Sequence, residues 1–490
     1  MSGEPLKVLF LSAEAVPFAK VGGLADVAGS LPKALRALGH DVRLMIPRYG
    51  SIRSDQFHLE KVGKPIPVPA GRGEVKAHLF HTITDDGVPT YLIWDEKYFS
   101  PRERVYGFDD DPQRFVFFSR AAAAALPLLG WMPDVIHAND WHTAAVPTWL
   151  AYEGRYLREY RHLASLFTIH NLAYQGISGR LILTFARMEY VKHLDVEPPG
   201  QVNWMAQGIA NADLITTVSP QYAKDIVETE AGAGLSPLLR QRQDRLFGIL
   251  NGIDYDQWDP TADPHIPQHF SLSDLRMRAV NKAALQQTAR LPVRADVPLI
   301  GMVSRLDPVK GIDLLEPVLE PLLQGDVQFV LLGTGQPEYH EMLEHLQSRF
   351  PDKMRVFLRY DDSLARRIYA GCDIFLMPSR FEPCGLGQMI AMRYGAVPVV
   401  HKTGGLADTV IDYHERPDKA TGFAFSPFTP EACLDGLRRA LGVFRDREAW
   451  IGLQTRGMKA DFSWKASAKK YADLYRRAVD AYRPGSGVSR

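Results

Sequence analysis

Two glycine-rich loops, one in each half of the chain, contain the same Lys-x-Gly-Gly-Leu pattern. The first runs from Lys20 to Leu24 and the second from Lys402 to Leu406. Paired glycines between a strand and a helix let the backbone approach a ligand closely, and the N–H groups of the helix that follows can bind an anion. The pattern predicts two ligand-binding loops, one per domain, at a shared cleft. The alternative is two ordinary strand-to-helix turns that match by chance.

A pair of cations could bind phosphate. Arg305 and Lys310 follow an apolar stretch that ends at Val303 and predicts a buried strand. Arginine offers a planar fork of donors and lysine a point charge, so together they could neutralise a diphosphate. Both residue types are usually exposed, and two surface charges on a solvated loop are the alternative.

A third candidate group lies between Ser379 and Gln388, where a glutamate stands next to a glycine-rich turn. The spacing predicts a helix that begins near Gly385, with its positive end directed at a phosphate leaving group. Glu382 would then lie beside the hydroxyl groups of a sugar. A capped helix with a purely structural glutamate is the alternative.

Polar residues also follow two apolar stretches of the first half. Asp140 and His170 stand where predicted strands end, and ligands of open α/β sheets bind outside the carboxyl ends of the strands. Each could instead be a hydrogen-bonded residue at a strand end. Asp109 to Asp111 suggests a metal-binding motif, but its polar surroundings favour a solvated acidic loop. Gly333-Thr-Gly335 lacks the third glycine of a dinucleotide fingerprint.

The elements that must position these groups alternate between strand and helix. Lys7 to Leu11 predicts a buried strand, Leu24 to Leu38 a helix, and Val42 to Ile46 the next strand. Short apolar strands between amphipathic helices indicate a parallel sheet covered on both faces. The pattern restarts at Pro298 to Val303, so the 490 residues predict two doubly wound α/β domains. The proline-rich stretch from Asn251 to Pro298 is predicted to connect them.

Composition excludes several classes of protein. The chain has 57 Lys+Arg and 57 Asp+Glu, so its net charge gives no reason to expect a nucleic acid or an anionic membrane as partner. Three cysteines argue against a disulfide framework, and no zinc-site spacing occurs. No signal segment and no apolar run of about 18 residues is present, which predicts a cytoplasmic protein.

Taken in order, the motifs resemble those of the bacterial glycogen synthases and plant starch synthases. Each motif alone is weak, whereas the ordered set is specific and spans Lys7 to about Tyr475. The motifs are Lys20-Val-Gly-Gly-Leu-Ala-Asp26, Asp140-Trp-His142, His170-Asn-Leu-Ala-Tyr-Gln-Gly176, Asn251-Gly-Ile-Asp254, Ser304-Arg-Leu306 with Lys310-Gly311, Glu382-Pro-Cys-Gly-Leu386, and Thr403-Gly-Gly-Leu-Ala-Asp-Thr409.

The resemblance implies a fold and an activity. Members of this family are retaining glycosyltransferases of the GT-B type, with two Rossmann-like domains facing a cleft. They transfer glucose from ADP-glucose to the non-reducing end of an α-1,4-glucan, without a metal or an organic cofactor. The implied domains are 1–252, an acceptor-side domain completed by the C-terminal helix 464–490, and 253–463, a nucleotide-sugar-binding domain. The oligomeric state is left open.

The resemblance also implies roles for individual residues. His170 would lie beneath the glucosyl ring, Arg305 and Lys310 would bind the diphosphate, and Glu382 would hold glucose hydroxyls and stabilise developing positive charge. Tyr360 would stack on adenine. The other implied substrate contacts are Lys20, Gly22, Gly23, Asp26, Tyr106, Asp140, Asn171 and Asn251 in the first domain, and Cys384, Gly385, Leu386, Thr403, Gly404 and Gly405 in the second.

The sequence departs from the family pattern at two positions, and it leaves alternatives open. Gly387 stands where the family commonly has threonine, and Val309 where it often has glutamine. Retention requires either a nucleophile or attack from the side of the leaving group; the family is usually discussed in terms of the latter. UDP-glucose as donor, a sugar-nucleotide epimerase and an inactive glucan-binding module are the competing interpretations.

Overall fold

The structure is a computed structural model that describes residues 4–481. The chain divides into two compact units, with boundaries after Gly252 and after Ser463. The first unit contains the described residues up to and including Gly252 and those that follow Ser463, and the second is Ile253–Ser463. The last part of the predicted helix 464–490, from residue 482 on, lies outside the described residues.

The first unit is built on a nine-stranded sheet whose strand order is β11-β10-β7-β6-β1-β2-β5-β4-β3. Its strands, with the separate pair β8 and β9, are β1 Lys7–Leu11, β2 Asp41–Pro47, β3 Glu60–Ala70, β4 Gly73–Ile83, β5 Pro89–Trp94, β6 Val135–Asn139, β7 Ala164–Ile169, β8 Ile177–Gly179, β9 Gln201–Asn203, β10 Leu214–Thr217 and β11 Leu246–Gly248. Its helices before Gly252 are α1 Gly23–Ala37, α2 Ser54–Phe57, α3 Asp111–Ala125, α4 Ala145–Tyr152, α5 Leu181–Ala186, α6 Trp204–Asn211, α7 Pro220–Glu228 and α8 Ser236–Gln241.

The central strands of this sheet are parallel, and β4 alone pairs antiparallel to both of its neighbours. Strands β6 and β7 are buried along their whole length, and only Lys7 of β1 is exposed. Burial on both faces explains why these strands read as continuous apolar runs rather than as alternating ones.

The second unit has a six-stranded, all-parallel sheet in the order β14-β13-β12-β15-β16-β17. Its strands are β12 Leu299–Val303, β13 Gln328–Leu332, β14 Met354–Phe357, β15 Ile374–Met377, β16 Val397–His401 and β17 Phe423–Phe425. Its helices are α9 Arg278–Thr288, α10 Leu315–Leu323, α11 Pro337–Arg349, α12 Asp362–Gly371, α13 Gly387–Arg393, α14 Gly404–Thr409, α15 Pro430–Phe444 and α16 Arg447–Lys459.

Both sheets reverse their strand order at one place, which is where doubly wound sheets bind ligands. In the second unit this switch point lies between β12 and β15, and in the first unit between β1 and β6. Chain segments that follow those four strands therefore leave the sheets next to each other within each unit. These segments contain most of the residues singled out in the sequence.

The stretch from Asn251 to Pro298 begins at the boundary between the units and then folds as part of the second. Its helix α9 packs against α12. Asp263 anchors the loop before α9, because its buried carboxylate accepts hydrogen bonds from the Tyr394 hydroxyl at 2.5 Å and from Arg366 at 3.2 Å. The stretch is thus a packed part of the second unit rather than a free linker.

The helix after Ser463, α17 Trp464–Asp480, belongs to the first unit. It packs on α1, β6 and β7, and it buries Tyr471 and Tyr475. The Tyr475 hydroxyl lies 2.7 Å from Nδ1 of His137 in the middle of β6. An apolar face together with this buried polar contact thus fixes the register of α17 on the sheet.

The three cysteines, Cys372, Cys384 and Cys433, are free and buried. No helix within residues 4–481 has the length and apolar character needed to span a membrane. The cytoplasmic location expected from the sequence stays a prediction.

Candidate active site

At the switch point of the first unit, the segment after β1 is organised by Glu14. Its carboxylate accepts hydrogen bonds from the backbone N–H groups of Val21 and Gly22, at 2.5 and 3.1 Å, and from the side chain of Tyr106. Burial raises the pKa of Glu14 above its ordinary value. Sequence reasoning did not assign Glu14 a role, because its three partners lie 7 to 92 residues further along the chain.

Lys20 and Tyr106 lie at the same cavity of the first unit, which has a volume of about 460 Å³. Lys20 Nζ donates to Asp26 Oδ1 at 2.7 Å, so two predicted substrate contacts pair with each other. The cavity is lined by Phe18, Ala19, Lys20, Val21, Ser51, Glu103, Arg104, Val105 and Tyr106.

The glycine pair of the first loop leaves room beside the backbone. A Cβ at Gly23 would have no neighbour within 4 Å, and one at Gly22 would come no closer than 3.7 Å to Glu14. Internal packing therefore does not require glycine at these two positions. The open space is what the close approach of a ligand needs, and the role of this loop in ligand binding stays a prediction.

Asp140 and His170 follow the adjacent strands β6 and β7, and the structure brings them into contact. Asp140 Oδ1 accepts a hydrogen bond from the backbone N–H of His170 at 2.7 Å and another from the backbone of Asn171. Asp140 has a positive φ of 55°, a conformation that non-glycine residues seldom adopt and that often marks functional sites. Burial raises the pKa of Asp140 to about 7.

Asn139 determines which ring nitrogen of His170 carries the proton. Asn139 Nδ2 donates to the Leu11 carbonyl at 2.9 Å, so its Oδ1 is the acceptor for His170 Nε2, which lies 2.9 Å away. The proton of the neutral imidazole is therefore on Nε2, and Nδ1 carries the lone pair. Burial lowers the pKa of His170 to about 3, so the ring is neutral at pH 7. The sequence contains a signal for Asn139, which precedes Asp140 at the end of a buried strand.

Asn251 is buried near the end of the first unit, and its side-chain oxygen has no hydrogen-bond partner among the described residues. Leaving a buried acceptor unpaired costs about 1–3 kcal/mol. A ligand hydroxyl that donates to this oxygen would recover that cost. The substrate contact of Asn251 stays a prediction.

Three buried histidines of the first unit make its stability depend on pH. Burial lowers the pKa of His142 and of His170 to about 3, and that of His137 well below its usual value. Because these rings protonate near pH 6.5 in the unfolded chain, each should reduce the free energy of unfolding by about 1.4 kcal/mol per pH unit as the pH falls below 6.5. Asp140, with its raised pKa, acts in the opposite direction between about pH 7 and 4.

We therefore expect the free energy of unfolding, measured in urea, to fall from pH 6.5 to pH 5. The fall should be steeper in Asp140→Asn, which lacks the opposing carboxyl group. A stability that stays constant or rises over this interval would contradict the prediction.

At the switch point of the second unit, Lys310 and Glu382 form an ion pair. Lys310 Nζ donates to Glu382 Oε2 at 2.6 Å, and the Ser379 hydroxyl donates to the same oxygen at 3.0 Å. The Lys310 and Glu382 side chains are 22% and 9% exposed, so solvent screens this pair only partly. The two segments after β12 and β15 are thus joined by a charge contact between residues 72 positions apart in the sequence.

Arg305 lies apart from this ion pair. Its guanidinium is 68% exposed and lies 3.4 Å from the Asp307 carboxylate. The structure therefore leaves Arg305 free to reorient toward a ligand, whereas Lys310 is already held.

The loop that carries Lys310 packs tightly on the segment after β15. The backbone N–H of Arg380 donates to the Val309 carbonyl at 2.8 Å. Gly311 has a positive φ of 71°, and a Cβ there would overlap the Pro378 carbonyl oxygen. Glycine is thus required next to Lys310, and Val309 contributes its backbone although its side chain differs from the family pattern.

The helix expected to begin near Gly385 begins two residues later. Gly385 has a positive φ of 74°, which is not helical, and α13 starts at Gly387. Cys384, Gly385 and Leu386 therefore form the turn before the helix. A Cβ at Gly387 would lie 3.2 Å from Met377 Sδ, so the threonine common in the family would require a small shift here.

The second glycine pair is packed against this turn, in contrast to the first. Gly405 N–H donates to the Glu382 carbonyl at 3.1 Å. A Cβ at Gly404 would overlap the Glu382 carbonyl oxygen, and one at Gly405 would overlap that of Cys384. Thr403 is the residue before α14. The loop thus packs against the backbone of Glu382 and holds it in place.

Two predictions concern more exposed segments. The Tyr360 ring is 81% exposed, a state that leaves its face available for stacking. Asp109 to Asp111 lead into α3, where Asp111 accepts from the backbone of Gly107 and contacts Arg114. No group of three or more potential metal ligands occurs within residues 4–481.

Comparison with known proteins identifies the family. A model described as the starch synthase catalytic domain matches residues 7–241, and the glycosyl transferases group 1 model matches residues 286–451. Glycogen synthase of Moorella thermoacetica is 47% identical over 98% of this chain and 98% of its own length. Glycogen synthase of Geotalea daltonii is 44% identical over 96% of this chain and 98% of its own length.

The chain belongs to the glycogen and starch synthase family.

Solved structures are also similar to this chain. The catalytic domain of starch synthase IV from Arabidopsis thaliana, bound to ADP and acarbose, has a TM-score of 0.90 and 35% identity, and covers 97% of this chain and 100% of its own. Sucrose-phosphate synthase from Thermosynechococcus elongatus, with a TM-score of 0.60 and 20% identity over 97% of this chain and 99% of its own, shares the fold. The resemblance and the predicted GT-B class of two Rossmann-like units are confirmed, and this family member is a glycosyltransferase.

Proposed function

We propose that this glycosyltransferase transfers glucose from ADP-glucose to the non-reducing end of an α-1,4-glucan, with retention of configuration and release of ADP. The observation that carries the proposal is the cluster of Lys310, Glu382 and Ser379 at the switch point of the second sheet. The choice of nucleotide is supported by the starch synthase IV structure, which is described as bound to ADP and acarbose.

The second unit would bind the donor. Lys310 and Arg305 would hold the diphosphate, and Tyr360 would stack on the adenine. Glu382 would accept hydrogen bonds from glucose hydroxyls through Oε1, because Oε2 is occupied by Lys310 and Ser379. Cys384, Gly385, Leu386 and the Thr403–Gly405 loop would complete the sugar and phosphate pocket.

The first unit would bind the transferred glucose and the glucan. Lys20, with the open backbone at Gly22 and Gly23, would approach the donor, and Asp26 would hold Lys20 in position. The remaining contacts would line the pocket of the sugar and the acceptor: Tyr106, Asp140, His170, Asn171 and Asn251.

The chemistry follows from the charges. Cleavage of the bond between the glucose C1 and the phosphate oxygen makes the sugar cation-like and places an additional negative charge on the leaving diphosphate. Lys310 and Arg305 stabilise that charge, and the carboxylate of Glu382 stabilises the cation-like sugar. Because Lys310 and Ser379 both donate to the Glu382 carboxylate, it is a weak nucleophile. We therefore propose attack by the acceptor hydroxyl from the side of the departing phosphate, which takes the proton.

His170 would act without exchanging a proton. Its Nε2–H is engaged by Asn139, and its pKa of about 3 keeps it neutral over the working pH range. A neutral ring beneath the sugar can approach a cation-like carbon without electrostatic repulsion, whereas a protonated ring could not.

The test is incorporation of labelled glucose into glycogen from ADP-glucose and from UDP-glucose, supplied at equal concentrations. We expect primer-dependent incorporation, with a higher initial rate from ADP-glucose. A preference for UDP-glucose would contradict the adenine assignment of Tyr360. Release of free sugar or of an epimer without extension of the glucan would contradict the transferase proposal as a whole.

A further inference from the structure

Ser379 is buried beneath Glu382 and is not a predicted substrate contact. Its side chain is 2% exposed, and its hydroxyl donates to Glu382 Oε2 at 3.0 Å. The same oxygen accepts from Lys310 Nζ at 2.6 Å. Two donors therefore converge on one carboxylate oxygen from two different segments of the chain.

Two donors on one oxygen restrict how the carboxylate can turn. With Lys310 alone, the Glu382 side chain could rotate about its last bond and exchange its two oxygens, because a lysine ammonium is a point charge without a preferred plane. The short Ser379 side chain, three residues away, adds a second direction from which Oε2 is held. The other oxygen, Oε1, receives neither of these two hydrogen bonds.

The backbone of Ser379 is itself anchored. The ring nitrogen Nδ1 of His401, at the end of β16, lies 2.9 Å from the Ser379 carbonyl oxygen. Burial lowers the pKa of His401, so this ring is neutral and donates through Nδ1–H. The neighbouring Arg380 N–H is bound to the Val309 carbonyl. The hydroxyl of Ser379 is therefore held in position by contacts outside its own segment.

We propose that Ser379 is a positioning residue for the transfer reaction, acting through Glu382. By holding Oε2 together with Lys310, it directs Oε1 of Glu382 to the glucosyl group of the donor. In the transition state the sugar is most cation-like, and a misplaced carboxylate then costs more than it does in the ground state. Loss of the Ser379 hydroxyl should therefore lower kcat more than it raises KM for the donor.

The inference rests on the proposed function of Glu382, and the experiment separates the two. Kinetic constants for ADP-glucose and glycogen are measured for the wild type, Ser379→Ala, Ser379→Cys and Glu382→Ala, together with Tm. Ser379→Cys keeps the shape of the side chain with a somewhat larger atom and replaces a strong donor with a weak one, so it weakens the hydrogen bond without opening a cavity. We expect kcat to fall about tenfold to a hundredfold in both Ser379 variants, with KM for ADP-glucose changed less than about threefold.

The matched control is Ser165→Ala in the first unit. Ser165 is equally buried, and its hydroxyl donates to the Asp213 carboxylate at 2.8 Å, at the amino end of β7. We expect this variant to lose stability and to keep a kcat within about twofold of wild type. This variant thus shows how far the loss of a buried serine–carboxylate hydrogen bond lowers Tm and kcat when the serine is not near the proposed reaction.

The outcomes are distinct. If Glu382→Ala is inactive but both Ser379 variants keep the wild-type kcat, the positioning role is wrong and the proposed function stands. If kcat falls equally in the Ser379 and Ser165 variants, the effect is structural and the positioning role is likewise wrong. If Glu382→Ala itself transfers glucose at the wild-type rate, the role proposed for Glu382 fails first.

Discussion

Replacing Lys310 with alanine should lower the rate of glucose transfer at least about a hundredfold, which is the scale for removing one group that stabilises transition-state charge. Lys310 has two functions in the proposed reaction, because it neutralises the leaving diphosphate and holds Glu382 Oε2 at 2.6 Å. Its loss also leaves the largely buried carboxylate of Glu382 without its cation. The measurement is the initial rate with ADP-glucose and glycogen.

Arg305→Ala should give a rate loss of similar size, because it removes a cation from the leaving diphosphate. Unlike Lys310→Ala, it leaves the hydrogen bonds of Glu382 in place. The Arg305 side chain is mostly exposed and lies 3.4 Å from the Asp307 carboxylate, so this variant should keep the wild-type Tm. Lys33→Ala, which breaks the 3.0 Å pair with Asp86 on the first unit, is the control for loss of a lysine–carboxylate contact far from the chemistry. Near-normal turnover in both Lys310→Ala and Arg305→Ala would contradict the proposed binding of the diphosphate.

The second large effect is expected from Gly405→Ala. A methyl group there would overlap the Cys384 carbonyl oxygen, and the backbone that carries it also donates to the Glu382 carbonyl. Overpacking of this kind costs about 1–3 kcal/mol or more, which lowers Tm by roughly 2–4 °C per kcal/mol in a domain of this size. Displacement of Glu382 should in addition reduce the transfer rate about a hundredfold.

Gly23→Ala is the matched variant in the first loop, since both positions are the second glycine of the same Lys-x-Gly-Gly-Leu pattern. Its Cβ meets nothing within 4 Å, and alanine is the better helix former at the start of α1. We expect an unchanged or slightly higher Tm, with loss of activity confined to a weaker binding of substrate. Tm is measured by calorimetry. Equal losses of Tm in the two variants would contradict the conclusion that the second loop is tightly packed and the first is not.

The fold could be predicted from the sequence to the level of its strands and their polar ends. Buried parallel strands are continuous apolar runs, so strands such as β1 and β7 stand out, and so do the polar residues that follow them. The start of α13 could not be located, because the turn that precedes it packs against Gly404 and Gly405 of a later loop. Local spacing contains no information about such a contact.

The candidate site was predictable as a set of residue types but not as a set of contacts. Asp140 and His170 were both expected at the ends of strands, and the structure shows that their strands β6 and β7 are neighbours in the sheet. The roles of Glu14, Asn139 and Ser379 are different, because each acts by holding other residues through contacts that only the fold creates: Glu14 holds Tyr106, Asn139 holds His170, and Ser379 shares Glu382 with the distant Lys310. Only the folded chain shows that Ser379 and Lys310 share one oxygen of Glu382.

The position of α17 has a consequence for how the protein is made. The first sheet depends on a helix that follows Ser463, and the buried hydroxyl of Tyr475 pairs with His137 in the middle of that sheet. During synthesis on the ribosome, the whole second unit therefore emerges before the last helix of the first. Until α17 is made, the first unit leaves the surface of β6 and β7 uncovered. The second unit contains all of its own elements and can fold before α17 is made. A chain truncated after Ser463 and released from the ribosome should accordingly resist protease in the later half and be cleaved in the earlier one.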